Sequence, residues 1–375
     1  MPIYKMDGKK DGKQQYRVRI NYTDNTGRAR QIDRVAYGST EAKLLEKQLL
    51  EEIKKTPASS KLTIQALYEE YMAAIKPDLR ETTFDKKRRI LEGNILPTMG
   101  AIRLDRLTLP VLQKWKSGIA EKDIGTVTSQ NYFKEFSALL NYAVKMDYLP
   151  TNLLQRIGNF KNPAVEDKTE KIRYYTADQY VRFAAEARRN AEEKNTLTEW
   201  GYYVFFSLAF YTGMRKGEIN ALRWNDLDGE ILHVRHSISQ KVKGEDCETG
   251  PKNRSSLRDL QMPEPLIRIL DEHRERRIDA NAYREDLYIC GGEYALRDIM
   301  IDKRNRAFGE AAGLPHIKIH DFRHTHASLL ANEGINIQEI SRRLGHSKVE
   351  ITWNTYSHLY PREEERAMQI LNKIV

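Results

Sequence analysis

Cysteine is nearly absent: Cys247 and Cys290 are the only two in 375 residues. Two cysteines give no disulfide framework, and a reducing cytosol fits. No apolar run reaches the roughly 18 residues a membrane-spanning helix needs. The opening MPIYKMDGKKDGK lacks the apolar core of a secretory signal. Repeats and low-complexity tracts are missing, which argues against a solenoid or a long disordered region. Acidic residues are the scarcer charge, 53 against 62 basic, giving a net charge of +9 and a pI near 9.2. That balance favours an anionic partner, with DNA the first candidate. What is present is ordinary for globular domains, 40% hydrophobic and 31% charged residues. The length suffices for two or three of them.

Residues 1–58 read as a small separate module. Tyr16, Val18 and Ile20 alternate with Arg17, Arg19 and Asn21, the pattern of a half-buried strand. Asp24 to Gly27 supplies turn residues, and Arg28 to Val35 forms the returning strand. Thr40 to Ile53 is helical, with Leu45, Leu49 and Ile53 four apart. Basic side chains on such a sheet could face a DNA groove, and a solvated basic surface explains them equally well. Lys55 to Lys61, with Pro57 and two serines, reads as a linker. Residues 62–158 look all-helical. Ile64, Leu67 and Tyr71 mark one helix, and Thr83 to Leu91 begins another that ends before Gly93 and Pro97. Thr108 caps a third, and Tyr132, Phe136, Leu139 and Ala143 line a long fourth. The run Lys86, Lys87, Arg88, Arg89 is a candidate for phosphate contact or a solvated helix face.

Pro163 to Lys171 is a polar connector, and Thr176 with Gln179 makes a capping box that opens a large third region. Tyr202 to Tyr211 is an apolar, aromatic helix running into Thr212–Gly213. Ile231 to Val234 and Leu257 to Met262 read as strands on either side of a polar excursion, QKVKGEDCETGPKNRS. Helices resume at Leu266 and again from Asp298, broken near Gly313–Pro315, at Gly334 and at Gly345. In the last of these regions Leu329 and Leu330 are expected to pack inside.

Six residues in this region suit one chemistry. A phosphodiester under attack gathers negative charge on its equatorial oxygens, and arginine offers planar, permanently charged donors to them. Arg215 lies just after a helix break, and Glu218 three residues later can share its face. Arg323 follows His320 at the same spacing, His346 emerges after Gly345, and Tyr356 lies in ITWNTYSHLY. Tyrosine is a poor nucleophile at a free pKa of about 10 and needs help losing its proton. Histidine can take that proton, and a lysine such as Lys252 can protonate a departing alkoxide. Carboxylate clusters for Mg²⁺ are absent around these residues, so the arginines are the better source of positive charge. His316, His320, His324 and His326 are dense, yet no neighbouring cysteine or glutamate completes a metal set. No metal and no cofactor is therefore expected, and His324 and His326 are given supporting roles.

The stretches TGMRKGEINALRW, GPKNRSSLRDLQMP, HDFRHTHASLL, LGHS and TWNTYSHL together resemble the tyrosine recombinase family, specifically integrases of phages and integrative conjugative elements. Their order and spacing cover most of residues 172–360. The resemblance implies a multidomain α+β chain. Its expected parts are an arm-type DNA-binding domain of small sheet plus helix (1–58), a helical, SAM-like core-binding domain (62–158) and a helix-rich catalytic domain with a small antiparallel sheet (172–375). It implies that Arg215 and Arg323 clamp the non-bridging phosphate oxygens. His320 is then a proton acceptor or phosphate ligand, His346 a second phosphate ligand, and Glu218 a support for the pocket. Lys252 would protonate the 5′-oxygen, and Tyr356 would form a 3′-phosphotyrosyl bond. Gly250–Pro251 stands where Thr–Pro is usual and Trp353 is also unusual, so Lys241 and Lys243 are spares for Lys252.

By the same resemblance the partners are double-stranded DNA at core and arm sites, with Arg17, Arg19, Arg28, Arg30 and Lys86 to Arg89 as candidate contacts. A homotetramer on DNA is implied, linked by an amphipathic terminal helix bearing Met368, Ile370, Leu371 and Ile374. An excisionase and a host DNA-bending protein are further partners. No membrane is involved, and the setting is the cytoplasm of a bacterial host, at the nucleoid. The rival readings are a type IB topoisomerase-like strand transferase and a catalytically inactive DNA-binding protein.

Overall fold

The structure is a computed structural model that describes residues 3–10, 12–23, 29–55, 62–161, 173–240, 246–250, 257–360, 368 and 371–372. It divides into two compact units, Met1–Asp167 and Lys168–Val375, and its architecture is mixed α+β.

The first unit opens with an antiparallel sheet of β1 (Ile3–Lys10), β2 (Lys13–Thr23) and β3 (Ala29–Tyr37), in that order. Alternation along β2 turns Val18 and Ile20 inward, where they meet Ala36 of β3 and Ala42 and Leu49 of α1 (Ser39–Lys55). β1 was not expected. Its sequence, IYKMDGKK, is polar and glycine-containing because it forms an edge, and its register with β2 shifts between Lys5 and Lys9.

A second, all-helical core follows, built by α2 (Ile64–Ile75), α3 (Glu81–Ile90), α4 (Leu96–Met99), α5 (Leu109–Ala120), α6 (Thr126–Lys145) and α7 (Leu153–Ile157). Thr63 and Asn152 cap α2 and α7, accepting from Ala66 N–H at 3.2 Å and Leu154 N–H at 3.0 Å. The helix expected to stop before Gly93 and Pro97 continues. A π turn at Leu91–Ile95 carries α3 into α4, with Pro97 in the first turn, where its missing N–H costs little. Leu91, Ile95 and Met99 fall on one buried stripe, so continuing the helix keeps burying apolar surface.

The second unit wraps around one helix. α9 (Leu197–Thr212) is apolar on every face and is covered by α8 (Ala177–Lys194), α11 (Glu264–Asp279) and α13 (Ile319–Asn332). Thr176 and Gln179 form the expected capping box on α8. After α10 (Lys216–Ala221), β4 (Leu227–Asp228), β5 (Ile231–Val234) and β8 (Arg258–Gln261) make a small antiparallel sheet in the order β4-β5-β8. The segment between β5 and β8 holds a two-stranded ribbon, β6 (Ser237–Ser239) just before the polar excursion paired with β7 (Cys247–Thr249) within it. α12 (Asp298–Ala311), α14 (Ile337–Leu344) and α15 (Val349–Tyr356) complete the unit.

Leu329 and Leu330 are only half-buried. The inward positions of α13 are Phe322, Arg323, Thr325 to Ser328 and Ala331, so this helix turns polar groups as well as apolar ones to the interior. Neither cysteine is in a disulfide. Of the expected terminal helix only Met368, Leu371 and Asn372 are among the described residues, and Met368 and Leu371 are exposed.

Candidate active site

Two left-handed glycines deliver the chain to the site. Gly213 (φ 64°) ends α9 and Gly345 (φ 67°) ends α14. Just past Gly213, Arg215 is the N-cap of α10, and Glu218 sits in that helix's first turn. Glu218 bonds both the side chain and the backbone of Arg215. One carboxylate oxygen accepts from Arg215 Nη1 at 2.8 Å, and the other accepts from the Arg215 backbone N–H at 2.9 Å. The second oxygen also takes Nη2 of Arg258 at 2.9 Å. Burial alone would raise the Glu218 pKa, but Arg258 and Arg215 outweigh it and hold the carboxyl below its ordinary range.

Arg323 is 3% exposed and is bound by both turns. Its Nη1 donates to Gly213 O at 2.9 Å and its Nη2 to Leu344 O at 2.6 Å. Burial first, and then the neighbouring Arg215, lower its pKa. An anion placed between the two guanidiniums relieves that repulsion, which is the electrostatic definition of an anion site.

His346 follows Gly345 and pairs its Nδ1 with Thr352 Oγ1 at 2.8 Å. Burial, then Arg323 and Arg215, push its pKa down to about 4, so it is neutral at pH 7. His320, in the first turn of α13, is lowered by burial and by His324 and Arg323. Tyr356 ends α15 and is 2% exposed, packed on Ala327, Ala331, Ile340 and Leu344. Burial pushes its phenol up to about 12.

The structure thus gathers Arg215, Glu218, His320, Arg323, His346 and Tyr356 from α10, α13, α15 and the turn after α14. Lys252 and its alternatives Lys241 and Lys243 lie outside the described residues. Two further side chains hold the site, Arg258, which the sequence reading passed over, and His324, to which it gave less than its place here. Arg258 is buried between Glu218 and Arg343 O, to which its Nε donates at 2.7 Å. Strand alternation gives the signal, since Arg258 shares a face with the buried Leu260. His324, given only a supporting role, lies 2.7 Å through Nδ1 from the Tyr356 hydroxyl. Its position four residues after His320 puts both on one helical face. His326 is structural, its Nδ1 bound to Phe210 O at 2.9 Å and its pKa pushed by burial to about 3.

The other candidates lie in the first unit. Arg17 and Arg19 project from β2 and share Asp33, at 3.7 and 2.9 Å. Arg30 is on β3, and Arg28 falls outside the described residues. On α3, Lys87 bonds Glu135, Arg88 pairs with Asp85 and Glu92, and Arg89 pairs with Asp85, while Lys86 is exposed. Much of that basic run is therefore neutralised within the fold.

Gly213→Ala tests the hinge of the site. A Cβ there would lie 2.7 Å from His326 Cδ2 and 3.0 Å from a Leu344 methyl, at a φ that side chains rarely adopt. Overpacking costs about 1–3 kcal/mol and left-handed strain adds about 1 kcal/mol more. Chemical denaturation should show that loss. Chemistry should suffer as well, because the displaced Gly213 carbonyl anchors Arg323.

Comparison with known proteins identifies the family and the fold. Residues 173–363 match the model of the phage integrase family, and residues 63–119 match the phage integrase N-terminal SAM-like domain. The chain is 23% identical over 374 residues to the ICEBs1 integrase of Bacillus subtilis (strain 168), covering 97% of this chain and 98% of that one. It is 28% identical to a XerC-like tyrosine recombinase of Caldanaerobacter subterraneus, covering 97% of each. Among solved structures, the Tn1549 transposon integrase in complex with a circular intermediate DNA superposes with a TM-score of 0.63 at 21% identity, over 82% of this chain and 99% of that one. A lambda integrase dimer bound to a COC′ core site gives 0.57 at 17% identity over 94% of each chain.

Proposed function

The chain belongs to the phage integrase family and is a tyrosine-type site-specific DNA recombinase, and from that premise we propose how its residues divide the work. The observation that carries the reading is the convergence of two arginines, two histidines and a tyrosine, distant in sequence, around the ends of α9 and α14. Arg215 and Arg323 clamp the non-bridging oxygens of the scissile phosphate, with Glu218 fixing Arg215. His346 donates to the same phosphate, and His320 acts as phosphate ligand or proton acceptor. Tyr356 attacks phosphorus and forms a 3′-phosphotyrosyl bond, while Lys252 protonates the departing 5′-oxygen. The phosphotyrosine conserves the bond energy. A free 5′-hydroxyl of a partner strand then reseals the backbone without ATP, and two rounds integrate or excise a mobile element.

The proposed assembly follows three domains. Residues 1–58 bind arm sites through Arg17, Arg19, Arg28 and Arg30. Residues 62–158 bind the core site, with Lys86 the α3 candidate least engaged within the fold and Lys87, Arg88 and Arg89 able to contribute once their partners yield. Residues 172–375 carry the chemistry. Four protomers act together on DNA, linked by the terminal segment around Met368 and Leu371, with an excisionase and a host DNA-bending protein setting direction. Among the described residues no helix is long and apolar enough to cross a membrane. The proposed setting is the bacterial nucleoid.

One experiment tests the assignment. The full chain is mixed with DNA carrying candidate element ends, and the junctions are sequenced. Recombinant junctions with a fixed crossover are expected. A chain truncated in the 55–61 linker should still form covalent adduct on a nicked core site but lose integration. Cleavage without rejoined junctions would argue instead for hydrolysis, and intact integration after truncation would remove the arm module's role.

A further inference from the structure

We propose that His324 is the proton acceptor for the nucleophile: as Tyr356 attacks, its phenolic proton passes to His324 Nδ1. The proposal rests on the reading of Tyr356 as nucleophile and goes beyond it by assigning the base. Its foundation is geometric. His324 Nδ1 is 2.7 Å from the Tyr356 hydroxyl, within the range of a proton-transferring hydrogen bond. The rings meet at 5.7 Å between centroids. His320 stands one helical turn earlier, edge-on to His324 at 5.1 Å between ring centroids.

The direction of the bond follows from the surroundings. Burial keeps the phenol protonated and the imidazole neutral, so the hydroxyl donates and the bare Nδ1 accepts. The imidazole proton then sits on Nε2. The charged and titratable groups bearing on His324 are Asp321 and Arg323 on its own helix, His320 one turn before it, and Tyr356 from α15. Asp321 favours the imidazolium that forms when the proton arrives, and Arg323 opposes it.

The step balances. The phenolic oxygen bonds to phosphorus, and its proton moves to Nδ1. The bond from phosphorus to the 5′-oxygen breaks with its electron pair, and that oxygen is protonated by the general acid. In resealing, the incoming 5′-hydroxyl gives its proton to the general acid, left deprotonated by the first step, and His324 returns its own to the departing Tyr356 oxygen. His320 is thereby left to the phosphate, which settles its double assignment in favour of a ligand.

The test is single-turnover adduct formation by the full chain on a nicked suicide site, across pH, for wild type, His324→Gln and Tyr356→Phe. Wild-type rate should fall with acid as His324 takes a proton, in a range below the ordinary histidine value. His324→Gln should bind DNA normally and form adduct about 10²-fold more slowly near neutrality. That defect should shrink as pH rises, because hydroxide can replace the base. Replacing Tyr356 by a difluorinated tyrosine, whose phenol is more acidic, should also shrink it. An unchanged or faster rate for His324→Gln would overturn the proposal and make His324 a residue that merely parks the tyrosine. A defect equal at every pH and with either phenol would overturn it in favour of packing. Adduct formation by Tyr356→Phe would instead refute the nucleophile itself, whatever His324→Gln did.

Discussion

Glu218→Gln should cost roughly 3–5 kcal/mol of stability, because it removes the counter-charge of a buried arginine. Arg258 and Glu218 have side chains 3% and 6% exposed, and the same carboxylate also holds Arg215. The glutamine can still accept from the Arg215 backbone N–H, so the start of α10 should survive. What it loses is the negative charge between two guanidiniums. The expected shift in Tm is about 10 °C for a unit of this size. Adduct formation should fall as well, since Arg215 is no longer held toward the Gly345 turn, where its Nη2 lies 3.4 Å from the Gly345 carbonyl.

The pH dependence gives this prediction a second arm. The folded Glu218 pKa lies below its ordinary 4.5, so its contribution is complete above that value and is lost as pH falls through the folded pKa. The gap between wild type and Glu218→Gln should therefore be constant from neutrality to about pH 4.5 and narrow in stronger acid. Absolute stabilities will fall sooner. His326 and His346 are kept neutral in the fold, with pKa values of about 3 and 4. The unfolded chain binds those protons first, and stability declines from near 6.5 downward. The difference between the two proteins is the quantity that isolates the carboxylate. A gap of under 1 kcal/mol at neutral pH would mean that water reaches the pair and replaces the charge.

How far the sequence foretold this site depends on the kind of signal each residue carries. Tyr356, one of twenty tyrosines, stands out only through its relation to Arg215, Arg323 and His346 and the family resemblance. Those three follow helix breaks or helix periodicity, and such punctuation is local, so their placement was readable. Helix stripes such as Leu45–Leu49 and Phe136–Leu139 were readable for the same reason. β1 was not, because an edge strand has no need to bury a full face and its lysines and glycine mimic a loop. The continuation through Gly93 and Pro97 was missed because a π turn absorbs the proline, a long-range compromise between backbone bonding and the Leu91–Ile95–Met99 stripe. The ribbon of β6 and β7 pairs short polar segments, where alternation has too few residues to register. Arg258 and His324 carried a periodic signal, but what makes them matter is a tertiary partner. Glu218 is 40 residues from Arg258, and Tyr356 is 32 from His324. No local pattern encodes those distances.

Tyr356→Phe and Lys252→Ala should fail in ways that chemistry can separate. Phenylalanine fills the same pocket among Ala327, Ala331, Ile340 and Leu344, so folding and DNA binding should change little. Covalent adduct should vanish, because no atom remains that can bond phosphorus. Lys252→Ala should keep the nucleophile and withhold a proton from the departing 5′-oxygen. Expelling an unprotonated alkoxide is costly, and general-acid help is typically worth about 10²–10⁴-fold. Sulfur in place of that bridging oxygen leaves readily as a thiolate and needs no proton. A 5′-thio suicide substrate should therefore rescue Lys252→Ala and leave Tyr356→Phe inactive. Arg215→Ala should be rescued only weakly, since the role proposed for Arg215 is to stabilise the non-bridging oxygens, and that loss would be felt whichever atom departs. The measurement is single-turnover adduct formation on matched oxygen and sulfur substrates. Equal defects for Lys252→Ala on both would remove it as the general acid. Selective sulfur rescue of Lys241→Ala or Lys243→Ala would then move the role to that lysine.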